Sequence, residues 1–186
     1  MKKNEEINFR DRKLVFVDLE TTGLNPDVHE ITEIGCLVVS GKTFEIELAY
    51  EEKVKPVNIE KASREALEIY NYSEKKWKGA KPLKKVLEKI ASIAPGGLIT
   101  GWNVSFDWWF LDKAFRKFKM EPDFDHHRID VMSIAYAKLY SKKKVERLGL
   151  RKIAPYFGIS LPETHGAMVD IRTTYEIFKK LMENEI

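Results

Sequence analysis

The sequence predicts an α/β domain, on three observations. Leu14, Val15, Phe16 and Val17 are apolar at successive positions, as in a strand buried on both faces near the middle of a sheet. Residues 43–50 alternate, with Phe44, Ile46, Leu48 and Tyr50 on one face and Thr43, Glu45 and Glu47 on the other, the pattern of a half-exposed antiparallel edge strand. From Pro56 onward the periodicity is helical, broken by short strand-like runs at 98–101 and 129–131.

Taken in order, residues 1–12 are polar and are expected to form an arm, with 13–186 a single domain. The first strand runs into Asp18 and Glu20, and Leu24-Asn25-Pro26-Asp27 supplies turn chemistry where the acids end. A second strand is expected at 31–39, a tight hairpin turn at Ser40-Gly41-Lys42 and the third strand at 43–50. One helix is expected at 59–70; Pro82 opens another, with Leu83, Val86, Leu87 and Ile90 as its apolar stripe. Its lysine-rich side is a solvated face or a phosphate-facing patch. Pro95-Gly96-Gly97 breaks the chain before the fourth strand, and Asn103 is placed to cap a helix reaching about Phe118. After the fifth strand come a helix at 133–140 and a last amphipathic helix with Ala167, Ile171, Thr174, Tyr175, Phe178 and Leu181 on its apolar side.

Composition narrows the function classes. The chain has 186 residues, 44% of them hydrophobic, with ten Phe, seven Tyr and four Trp, which argues against a disordered chain and supplies one sizeable core. No apolar run approaches the ~20 residues of a membrane span, and the N-terminus lacks the apolar centre of a signal peptide, so a cytoplasmic location is expected. Cys36, the one cysteine, lies in an apolar run and reads as a buried, inert thiol. A net charge of +3 is too small to indicate nucleic acid by itself.

The acids are more informative. Asp18 and Glu20 are two apart, so on a strand both side chains leave one face, about 6.5 Å apart along the chain. Two charges at the end of a buried strand repel each other unless cations compensate them, and a pair of divalent ions would do so, an arrangement suited to in-line attack on phosphodiesters. The alternative is that Asp18 ends the strand and Glu20 is solvated. Asp107 falls in line with Leu111, Ala114 and Phe118 on one helix stripe, where it either stabilises the helix N-terminus or serves a site. Asp130, before a helix, reads as a capping group, and His126-His127, with no nearby Cys or i+4 His, as surface. Lys142-Lys143-Lys144 with Arg147, Arg151 and Lys152 forms the strongest basic cluster, solvated or holding phosphates. His165 and Asp170, five apart, converge only if His165 lies in the loop before the helix, which Gly166 permits.

In combination, FVDLETTG with Asp18 and Glu20, Asp107 after Asn103, and His165 with Asp170 in HGAMVD resemble the three exonuclease motifs of the DEDDh family of 3′–5′ exonucleases, particularly the proofreading subunit of bacterial DNA polymerase III and its stand-alone relatives. The residues between His165 and Asp170 are a looser match than the first motif. The resemblance implies a ribonuclease H-like fold, a five-stranded mixed sheet flanked by helices. It further implies that Asp18, Glu20, Asp107 and Asp170 hold two Mg²⁺ or Mn²⁺ ions, that His165 is the general base, and that Thr21, Thr22, Gly23, Leu24, Asn103 and Phe106 seat the terminal nucleotide. The implied substrate is the 3′ end of single-stranded DNA or RNA and the implied product a nucleoside 5′-monophosphate. A polymerase partner, a homodimer, an RNA-processing role and a silent binding module all remain open at this point.

Overall fold

The computed structural model describes residues 8–142, 146–162 and 166–183. Within them the chain forms a five-stranded mixed sheet of order β3-β2-β1-β4-β5, from β1 (Leu14–Thr21), β2 (Ile31–Val39), β3 (Ile46–Lys53), β4 (Gly97–Gly101) and β5 (Phe124–Asp130). β1 pairs antiparallel with β2, which pairs antiparallel with β3; β1, β4 and β5 run parallel. The helices are α1 (Arg64–Ile69), α2 (Leu83–Ile93), α3 (Val104–Lys117), α4 (Val131–Leu139), α5 (Leu150–Ile153) and α6 (Ala167–Met182). None of them is long and apolar enough to cross a membrane.

The continuous apolar run of β1 is explained by its neighbours. Val15, Val17 and Leu19 enter the cluster made with α2 and α3, through Leu87, Ile90 and Leu111; Leu14 and Phe16 enter the opposite cluster, made with α4 and α6. Both faces of the strand are therefore covered, as the continuous apolar run of a central strand in a mixed sheet between two helix layers requires. On the α6 side Phe16 meets Tyr175 and Phe178 edge to face at 5.8 and 5.5 Å, pairs that each add about 0.5–1.5 kcal/mol beyond the area they bury. The Tyr175 hydroxyl donates to the Phe44 carbonyl at 2.7 Å, fastening α6 to the turn before β3.

Several expected elements are corrected. β3 is the antiparallel edge strand, but it starts at Ile46, because Ser40–Glu45 closes a longer loop in which Phe44 has φ 56° and its N–H donates to Ser40 O. Phe44 consequently packs with Phe178 in the α6 layer, while Leu48 and Tyr50 pack on the other face and Ile46 is exposed. The helix expected at 59–70 is broken into a 3-10 turn, Ile59–Lys61, and α1, because Ala62 is extended and Ser63 starts a new helix with its side chain on the Ala66 N–H. β5 is longer than three residues, and α4 begins at Val131, capped by Asp130 through the Met132 N–H.

Candidate active site

Four acids meet near the carboxyl end of β1. Alternation along the strand puts Asp18 and Glu20 on the face that carries Phe16, toward α6. α6 contributes Asp170 from its first turn. From the opposite layer α3 contributes Asp107, 4% exposed, whose Oδ1 accepts the Leu19 N–H at 3.0 Å. Gly35 stands opposite Asp18 on β2, and a Cβ there would lie 2.6 Å from Ile171 Cδ1 and 3.1 Å from the Ala167 carbonyl carbon. Glycine thus lets α6 approach the sheet beside the first acid.

The strand pairing is irregular just past the acids, at Glu20/Thr21, where the register skips Thr32. Such bulges recur beside active sites and re-aim the chain. Thr32 uses its hydroxyl on Glu20 O at 3.1 Å, and its carbonyl accepts Trp77 Nε1–H at 2.8 Å, so the irregularity is tied down on both sides.

Burial, followed by the charges of Asp107, Asp170, Glu20 and Glu33, pushes the Asp18 carboxyl well above the ordinary range. Burial, then Glu33 and Asp170, raises Glu20 to about 8 against the opposing pull of Arg151. Burial raises Asp107 to about 8 although the Leu19 N–H favours its charged form. Arg151 answers this acidity in part: one guanidinium nitrogen lies 3.1 Å from Asp170 Oδ1 and the other donates to Pro162 O at 2.8 Å. Hard carboxylate oxygens crowded into an acid-rich, partly buried place fit a hard divalent cation, whose charge would stabilise their ionised forms. Cys36 takes no part: it is buried in the α2–α3 cluster, and burial pushes its thiol up to about 12.

His165 lies outside the described residues. Its neighbour Gly166 occupies the N-cap position of α6. Thr21 and Thr22 are buried and bonded into the turn after β1, Thr21 Oγ1 to Gly23 O and Thr22 Oγ1 from the Glu30 N–H, both at 2.8 Å. Gly23 has φ 153°, with the His29 ring against the space a side chain would need. Leu24 is 78% exposed, and Phe106 is half-buried against Phe110 at 5.1 Å. Asn103 occupies the N-cap position of α3, but in a left-handed conformation and without a side-chain capping bond; its backbone N–H instead donates to Asp130 Oδ1 at 2.9 Å.

Two acids escaped the reading of the sequence. Glu33, 7% exposed, pairs with Glu20 across β1 and β2, and Glu51 projects from β3; both reach the start of α6. The available signal was a lone acid inside the apolar run ITEIGCLVV. Arg151 was legible only as part of a basic cluster, of which Lys143 and Lys144 lie outside the described residues. On β5 the exposed His126 and His127 lie beside Asp125, and the three offer metal-ligating atoms within 4.8 Å of one another; Asp125 is already engaged by Arg12 at 2.6 Å.

Comparison with known proteins covers almost the whole chain. The RNase_T family model, described as Exonuclease, matches residues 15–178. The DNA polymerase III PolC-type of Thermotoga maritima is 28% identical over 180 residues, 97% of this chain and 12% of that one. The protein of the same description from Clostridium perfringens is 30% identical over 183 residues, again 12% of its length. The chain therefore spans a small part of these relatives. Among solved structures, exonuclease I superposes with a TM-score of 0.81 at 19% identity, over 93% of this chain and 41% of that one. E. coli exonuclease I in complex with a dT13 oligonucleotide gives 0.80 at 18% identity, over 94% and 42%. The zinc-bound form of its complex with single-stranded DNA gives 0.80 at 19% identity, over 94% and 41%. At these identities the likeness establishes the fold, which is ribonuclease H-like.

Proposed function

Since the chain belongs to the RNase_T exonuclease family, we propose that it is a metal-dependent 3′–5′ exonuclease releasing nucleoside 5′-monophosphates from single-stranded nucleic acid, with DNA the favoured substrate. The observation that carries this reading is the convergence of Asp18, Glu20, Asp107 and Asp170 from β1, α3 and α6, with burial raising the carboxyls of the first three above their ordinary range and neighbouring acids adding to the rise at Asp18 and Glu20.

Asp18, Glu20, Asp107 and Asp170 would together hold two Mg²⁺ or Mn²⁺ ions. When bound, the ions supply the positive charge that activates water and stabilises the leaving 3′ oxygen. His165 takes the proton from the attacking water as the P–O3′ bond breaks, a role suited to a side chain whose ordinary pKa is near neutrality. The turn from Thr21 to Leu24, with Asn103 and Phe106, seats the terminal nucleotide, the exposed Leu24 and half-buried Phe106 offering apolar surface to its base and sugar. Residues 13–186 act as one exonuclease domain behind the arm 1–12.

The preference for DNA rests on the polymerase names of the relatives and the oligonucleotides carried by the structural neighbours. The same names support work in the cytoplasm beside a replicative polymerase. Turnover of matched DNA and RNA single strands, with and without excess chelator, tests the proposal: a chelator-sensitive ladder of shortened products, faster on DNA, is expected. A ladder that persists in chelator would contradict the metal dependence, and equal or faster cutting of RNA the substrate.

A further inference from the structure

We infer that Glu33, with Glu51 beside it, is a positioning residue that sets the place of Asp170 by capping α6 from outside the helix. This rests on the reading above in taking Asp170 as a metal ligand.

A helix leaves its first backbone N–H groups without intrahelical partners, and the residue at the N-cap ordinarily supplies an acceptor. Gly166 holds that position here and has no side chain to offer. The sheet makes good the lack. Glu33 Oε1 accepts the Ala167 N–H at 3.0 Å in a buried setting, and Glu51 Oε1 accepts the Met168 N–H at 3.1 Å. The caps come from neighbouring strands, with Glu33 paired to Lys53 and Glu51 to Gly35 across β2 and β3, and Glu33 paired to Glu20 across β1 and β2. Helix and sheet are therefore registered to each other within one turn of Asp170, whose own N–H returns to Gly166 O at 3.1 Å.

Negative charge at a helix N-terminus is favourable in its own right. Glu33 nevertheless lies near Asp18, Glu20 and Glu51, and burial raises its own carboxyl above the ordinary range while the Ala167 N–H opposes the rise. A buried acid there is unfavourable for the local charge balance, which makes its bond to α6 the feature that explains its place. Groups that hold a metal ligand in position commonly matter about 10- to 100-fold to metal affinity without touching the ion.

The test compares Glu33→Gln, which keeps an Oε1 acceptor, with Glu33→Ala, which does not, and with Glu51→Ala at the rim. Mn²⁺ binding is measured by calorimetry, and amide hydrogen exchange is followed at Ala167 and Met168 without metal. Glu33→Ala should weaken Mn²⁺ binding on the order of tenfold and speed exchange in the first turn of α6, with Glu33→Gln within about twofold of the parent and Glu51→Ala between them. If Glu33→Gln fails as badly as Glu33→Ala, the charge and not the cap is needed and the inference falls. Unchanged exchange and binding in Glu51→Ala would overturn it as well, even should Glu33→Ala not fold. A parent protein that binds no Mn²⁺, with first-turn exchange still dependent on Glu33, would instead sink the metal reading and leave the cap standing.

Discussion

The backbone N–H of Leu19 donates to Oδ1 of Asp107 across 3.0 Å, so α3 is fastened to β1 at the residue between the two acids of the strand. One oxygen of Asp107 is thereby engaged in architecture. Asp107→Asn keeps an acceptor for Leu19 and removes a buried ionisable group whose charge, once it forms, pushes up the Asp18 carboxyl. The metal-free variant should melt at or above the parent temperature while losing exonuclease activity. Asp107→Ala leaves a buried N–H unpaired and should cost about 1–3 kcal/mol. Calorimetric melting of the two variants checks both signs.

The raised carboxyls make metal-free stability fall with pH. Glu20 and Asp107 keep their protons in the folded chain up to about 8, whereas an unfolded chain releases them near pH 4. Between those values the folded state holds more protons, so its stability is fullest below the unfolded pKa and declines as pH rises toward about 8. Divalent ions need the ionised groups, so binding releases protons and tightens over the same window. In chelator the melting temperature should be lower at about pH 8 than at about pH 5, and Mn²⁺ should restore more of it at the higher pH. A melting temperature that rises across that range in chelator would contradict this.

Much of this was legible in the sequence because the decisive elements are apolar or carry unmistakable acids. β2 occupies the expected span, Ile31–Val39, since its apolar run is buried at every position. β5 was underread because Asp125, His126, His127 and Arg128 give an edge strand without an apolar pattern. The break between Ile59 and Ile69 depends on a tertiary bond, Ser63 N–H to Thr22 O at 2.8 Å, which no local periodicity reveals. Asp18, Glu20, Asp107 and Asp170 stand out through the resemblance of their combined motifs to the exonuclease family, each spacing being weak alone, but Glu33, Glu51 and Arg151 become meaningful only when α5, α6 and the sheet edge are brought together.

Gly35 is predicted to be intolerant of alanine. The added methyl would press on Ile171 and the backbone of Ala167, moving α6 away from Asp18. Overpacking of this kind costs about 1–3 kcal/mol, and because α6 carries Asp170 the loss should extend to Mn²⁺ affinity. Chemical denaturation with a metal titration on the same variant checks both; full affinity in a destabilised protein would show that the displacement does not reach the site.

His165→Ala should leave Mn²⁺ binding near the parent value while lowering turnover on the order of 10²–10⁴-fold, the contribution expected of a general base. Asp18→Ala, by contrast, should lose metal binding together with activity. Wild-type turnover by His165→Ala across neutral pH would require another base.

The most direct test of the central claim uses a single-stranded DNA labelled at its 5′ end, with the 3′ hydroxyl free or blocked by a bulky group, beside a circular single strand, all with Mg²⁺. A four-carboxylate site that seats a terminal nucleotide at Leu24 and Phe106 predicts a ladder shortening from the free 3′ end, no ladder from the blocked strand and an intact circle. Efficient cutting of the circle would contradict it.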